Sequence, residues 1–160
     1  MAEGGSFIQT GRSSTKAATY TGSDGDDTFQ MKHADDVIVG GAGTNDTLVI
    51  TKNLILGGVN VDLTKTADVV TSFNGSSSAS VQSGFESVDL SAVTGSFGAE
   101  VTAIKGGSTI TGTPNIDVIT GGAGVDTING KGGADVIDAG AGNDIFVYTS
   151  NLDLFTNASP

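Results

Sequence analysis

Large apolar residues recur every nine positions through the second half of the chain: Val101, Ile110, Ile119, Ile128, Ile137 and Phe146. From Ile119 onward each one follows an aspartate two places earlier, at Asp117, Asp126, Asp135 and Asp144. Glycine-rich polar stretches fill the intervals. A helix does not hold this spacing, since nine residues make about two and a half turns and glycine is costly inside one. The pattern predicts very short strands, each with one inward side chain, joined by glycine-rich loops of about six residues. Two units then close one turn of a coil, and stacked turns pair like strands in parallel.

Residues 112–147 read as four consecutive nonapeptides: GTPNIDVIT, GGAGVDTIN, GKGGADVID and AGAGNDIFV. Glycine crowds their first four places, at Gly112, then Gly121, Gly122 and Gly124, then Gly130, Gly132 and Gly133, then Gly140 and Gly142. Thr113, Pro114 and Asn115 stand where the first unit departs from glycine. An earlier block keeps the same phase. Residues 22–30 begin with Gly22 and place Asp27 sixth and Phe29 eighth. Residues 31–39 keep Asp36 and Ile38 but have no glycine. Residues 40–49 carry Gly40, Gly41 and Gly43, one inserted residue, then Asp46 and Leu48. The Asp27 and Asp46 loops are two units apart, so they can share one ion, with Asp24 and Asp26 able to add oxygens. Lys32 opposes a cation near Asp36, which reads as a structural turn. His33, the single histidine, reads as a solvated turn residue.

These units resemble the RTX nonapeptide, Gly-Gly-x-Gly-x-Asp-x-apolar-x, of bacterial proteins secreted by the type I route. The resemblance implies an all-β fold, a parallel β-roll or β-solenoid with calcium-binding glycine–aspartate turns. It implies Ca2+ as the bound ion, held between equivalent loops two repeats apart by sixth-place carboxylates and loop carbonyls. That chemistry suits a hard cation that takes six to eight oxygens. Carried onto this chain, it expects three ion-sharing pairs: Asp27 with Asp46, Asp117 with Asp135, and Asp126 with Asp144. It also implies an extracellular or cell-surface location on a bacterium.

The remaining segments complete a five-part division: residues 1–20, 21–49, 50–109, 110–148 and 149–160. Residues 1–20 are either a flexible leader or, through the β-prone run at Phe7 and Ile8, an arm that adds a strand to a sheet edge. Residues 50–109 lose the glycine–aspartate loops but keep short alternating apolar groups such as Val59, Val61 and Leu63. The choice there lies between a small separate sandwich and a continued solenoid with irregular turns and no ions. Val101 and Ile110, already on the later ladder, favour the solenoid. Residues 72–84 read as a long loop bulging from the coil. Leu152, Leu154 and Phe155 either cap the open end or meet another molecule.

Composition narrows the function. Eighteen acidic residues against seven basic ones give a formal charge of −11, which argues against nucleic acid as a partner. Of the acidic residues only Glu3, Glu86 and Glu100 are glutamates, and this aspartate dominance fits turns and metal loops. There is no cysteine, so calcium is the expected staple. No apolar run reaches membrane-spanning length. The repeated glycines lack the third glycine of a dinucleotide fingerprint, no Gly-x-Ser-x-Gly elbow occurs, and the carboxylates recur as a lattice without converging as a catalytic dyad. The expectation is a non-enzymatic structural protein that folds on calcium and self-associates into an extracellular layer, biofilm matrix or filament, with cell-surface polysaccharide as a further partner. The leading methionine favours this over the alternative, a calcium-dependent folding module of a larger RTX enzyme, toxin or adhesin.

Overall fold

The computed structural model describes residues 19–31, 36–77 and 82–149, and the backbone of 153–157. Phe7 and Ile8 in the leader, Lys32, His33 and Leu152 lie outside the described residues. Among those described, every regular element is a strand. In chain order the first nine are β1 (Thr19–Thr21), β2 (Thr28–Met31), β3 (Val37–Val39), β4 (Thr47–Ile50), β5 (Asn53–Leu54), β6 (Val59–Asp62), β7 (Val70–Phe73), β8 (Ser76–Ser77) and β9 (Gln82–Ser83). The rest are β10 (Ser87–Asp89), β11 (Thr94–Gly95), β12 (Ala99–Thr102), β13 (Thr109–Thr111), β14 (Val118–Thr120), β15 (Thr127–Asn129), β16 (Gly133–Asp138), β17 (Ile145–Phe146) and β18 (Asp153–Asn157).

Valine, isoleucine and threonine fill the strands, and glycine, aspartate and asparagine fill the turns, as their backbone preferences direct. From β12 onward successive strands alternate between two parallel sheets. One sheet runs β2-β4-β10-β13-β15-β17 and the other β6-β12-β14-β16-β18. Partners lie two nonapeptides apart: Val101 faces Ile119 and Ile119 faces Ile137 on one sheet, while Ile110 faces Ile128 and Ile128 faces Phe146 on the other. A third parallel sheet, β1-β3-β9, continues the coil at its N-terminal end. The fold is a parallel β-roll, with no closed barrel.

The core is one side chain thick at each rung. Ile110, Ile119, Ile128 and Ile137 are all buried, while the residues on either side of each point outward. Burying each such side chain is worth about 1.5–3 kcal/mol, little for a chain whose strands run from two to six residues. The first block packs larger groups, with Phe29 edge-on to Phe85 at 6.1 Å between ring centroids. Its inserted residue shows in the register, for Tyr20 faces Ile38 eighteen residues on, but Phe29 faces Leu48 nineteen on.

Residues 50–109 stay on the same ladder. Val61 faces Val101, and Leu48 faces Val88, across separations of forty residues. The extra length is taken up by a reversal. Strand β7 runs antiparallel to β6, and β8 antiparallel to β7. Asn74 and Gly75, at φ 52° and 81°, make the two-residue turn between β7 and β8. This corrects the expectation of a long loop from residue 72. Asn-Gly is the pair that tolerates two successive positive φ values, so it closes a hairpin there. Val69, just before the reversed strand, links two sheets, its N–H donating to Gln82 O at 3.1 Å. Gln82 takes a core rung opposite Ile38 and is fully buried, its Nε2 donating to Asp36 O at 3.0 Å.

Candidate metal centre

The sixth-place aspartates stand immediately before a strand or, for Asp135, within β16, so the parallel stacking that sets the core also stacks the carboxylates. On the first sheet Asp27 N donates to Asp46 Oδ1 at 2.7 Å and Asp126 N to Asp144 Oδ1 at 3.0 Å. On the second, Asp117 N donates to Asp135 Oδ1 at 2.9 Å. The three pairs expected to share ions are therefore in direct contact, carboxylate against backbone. Asp27, Asp46, Asp117, Asp126 and Asp135 are all buried. Asp36 precedes β3 on the third sheet, apart from these ladders. Asp24 is exposed. Asp26 Oδ1 accepts Thr44 N and Asn45 N, each at 3.1 Å, so it ties two loops together.

Glycine lets the loops stack closely enough to bring carbonyls inward. A Cβ on Gly121 would overlap Ala139 O of the next turn and lie 2.8 Å from Asp126 Oδ2. Gly22 meets Gly40 O and Asp27 Oδ2 in the same way, and Gly112 meets Gly130 O and Asp117 Oδ2. Gly122, Gly41, Gly133, Gly140 and Gly142 face carbonyls of the preceding turn instead, those of Ile104, Ser23, Asn115, Gly122 and Gly124. Gly43 lies against Asp46 Oδ1 and Gly25 O, and Gly124 against Gly106 O. Gly132 has more room, with Pro114 O at 3.4 Å.

Burial sets the electrostatics. Asp117 is pushed up to about 7, chiefly by exclusion from water; hydrogen bonds from Thr113 and Ala99 oppose this and the nearby Asp135 charge adds to it. Thr113 is a residue sequence reasoning missed. Its N–H and hydroxyl bond the two Asp117 oxygens at 2.7 and 2.8 Å, a task that Gly122 performs toward Asp126 through its N–H alone. Asp46 is also raised by burial, with the Asp27 and Asp26 charges contributing, and Glu86 by burial and then by Asp46. Asp46 Oδ2 is buried with no hydrogen-bond partner in the protein.

These donors fit calcium. They are carboxylate and carbonyl oxygens, held close by loops that a Cβ would block, and they carry charge that burial penalises. Among the described residues no three acidic, histidine or cysteine side chains converge, so backbone oxygens would supply much of a cation's shell. Residues 109–146 match the RTX calcium-binding nonapeptide repeat, in four copies. RTX repeats bind Ca2+ and are typical of secreted bacterial proteins. The RTX segment holds Asp117, Asp126, Asp135 and Asp144, and its register is the one seen in the two ladders. No curated protein and no solved structure matches the chain. Among the described residues no helix is long and apolar enough to cross a membrane.

Proposed function

We propose that this chain is a secreted, non-enzymatic calcium-binding structural protein, which orders outside the cell and self-associates into a layer, matrix or filament. The observation that carries the reading is the row of buried aspartates along each ladder. Without a cation these carboxylates oppose one another and lack solvation, and the one-residue-thick core is small recompense. Bound Ca2+ would neutralise that charge and make its binding energy folding energy. The residues that would hold it are Asp27 with Asp46, Asp117 with Asp135 and Asp126 with Asp144, with the loop carbonyls of Gly40, Gly130 and Ala139 beside them. The sheet edges at β2 and β17 support association, since an edge strand carries backbone groups for another strand to pair with. A shallow polar depression of about 250 Å³, lined by Asn60, Asp62, Lys65, Thr71, Glu100 and Thr102, offers donors and acceptors suited to polysaccharide.

The test is circular dichroism and electron microscopy of the purified chain, in chelator and in calcium. The expected result is coil in chelator, and β structure with ordered polymers in calcium. A calcium-folded chain that stays monomeric would favour the other reading, a folding module of a larger RTX protein. A β spectrum indifferent to chelator would overturn the calcium-driven fold itself.

A further inference from the structure

We propose one more divalent-cation site, between Asp46 and Glu86, the second of which lies in a segment that carries no nonapeptide. It rests on the calcium-binding reading of the RTX segment, because its geometry repeats what is found there. In that segment the first-place glycine of a loop faces both a carbonyl of the next turn and its own loop's aspartate, as Gly121 faces Ala139 O and Asp126 Oδ2. Gly40 has the same surroundings. A Cβ on it would overlap Gly84 O and lie 2.9 Å from Asp46 Oδ2. Gly84 thus stands in the next turn's loop, although forty-four residues separate it from Gly40 and the β7–β8 hairpin lies between.

Glu86 completes the likeness. It immediately precedes β10, in the place the sixth aspartate holds before β4 and β15. Its Oε2 accepts Asp46 N at 2.8 Å, as Asp144 Oδ1 accepts Asp126 N. The return contact is made too, with Glu86 N and Ser87 N donating to Asp46 O at 3.1 and 3.0 Å.

One difference points to a ligand. In the Asp27, Asp117 and Asp126 loops the second-place N–H donates to the aspartate Oδ2, from Ser23 at 2.6 Å, Thr113 at 2.7 Å and Gly122 at 2.6 Å. Asp46 is 0 % exposed and its Oδ2 receives no donor at all. An anionic oxygen shut away from water without a donor is costly, and a cation is the partner that relieves it. Asp46 Oδ2, Gly84 O and Glu86 are all hard oxygen donors, which select calcium over softer metals.

Native mass spectrometry of the full chain in calcium would count the ions. Glu86→Gln keeps an acceptor for Asp46 N–H and removes the charge, so the variant should hold one ion fewer than wild type. Asp126→Asn, within the RTX segment, serves as the control. Wild type with no bound calcium would defeat the underlying reading. A wild type that binds calcium, with Asp126→Asn losing an ion and Glu86→Gln losing none, would overturn this site alone. Should Glu86→Gln fail to fold, anomalous diffraction from wild-type crystals grown in calcium decides the matter. A peak between Asp46 Oδ2 and Gly84 O is expected, and its absence beside peaks in the RTX segment would refute the proposal.

Discussion

A carboxylate buried in a chain with no cation is a group that prefers to hold its proton. Asp117 is the clearest case, raised to about 7 from an ordinary 3.8 by burial. Between those two values the folded chain keeps a proton that the unfolded chain has released, so stability must fall as pH rises through that window. Asp46 and Glu86 are shifted in the same direction. In chelator, therefore, the coil expected near pH 7.5 should give way to more β structure by circular dichroism near pH 5, and Asp117→Asn should flatten that dependence. A β signal that climbs with pH in chelator would show that the folded chain holds these groups charged at no penalty. Saturating calcium should remove the decline, because it binds the charged form. The eighteen-residue separation of facing aspartates could be read from the repeat alone. Glu86 could not, since it is a longer carboxylate in a segment without glycine–aspartate spacing. Thr113 could not either, because its N–H and hydroxyl matter only once the loop has closed around Asp117.

At the level of the strand and its loop, the limiting quantity is the distance between turns. Gly121→Ala puts a methyl group against Ala139 O, and backbone cannot step aside as a side chain can. Gly106→Ala is the control, since the nearest atom to its Cβ would be the Ile104 Cδ1 methyl at 3.5 Å. Thermal melts in calcium should show Gly121→Ala destabilised by about 1–3 kcal/mol, the usual range for overpacking, and Gly106→Ala within about 0.5 kcal/mol of wild type. Equal effects would mean that loop stacking does not limit stability. The strands themselves were legible because a period of nine with one inward residue has few solutions. The hairpin of β7 and β8 was signalled by Asn74-Gly75, yet its serine-rich surroundings read as loop. The buried Gln82 rung gave no signal, for a glutamine belongs in a core only when a carbonyl such as that of Asp36 is there to receive it.

For the molecule as a whole, the two ends of the coil govern how copies can meet. A contact between unlike ends propagates as a filament unless its rotation closes a ring. If residues 1–20 donate a strand to the next subunit, deleting them should leave calcium-induced β structure intact and abolish the polymers, as judged by circular dichroism and electron microscopy together. Polymers of undiminished length from the truncated chain would place the contact on the sheet faces or the C-terminal strand. The first sheet has another property of scale, in that its strand order follows chain order from β2 to β17. Tension applied at the two ends of that sheet runs across its rungs, so they are loaded in series and give way singly, as teeth of a zipper do. Each turn of the RTX segment pulled free would lengthen the molecule by up to about 60 Å, the reach of its eighteen residues. Optical-trap traces in calcium should then show a staircase of equal extensions at low force, where a single abrupt rupture would reveal turns locked together. A chain that unwinds in such steps spreads a sudden pull over many small extensions and can rewind once the load is gone.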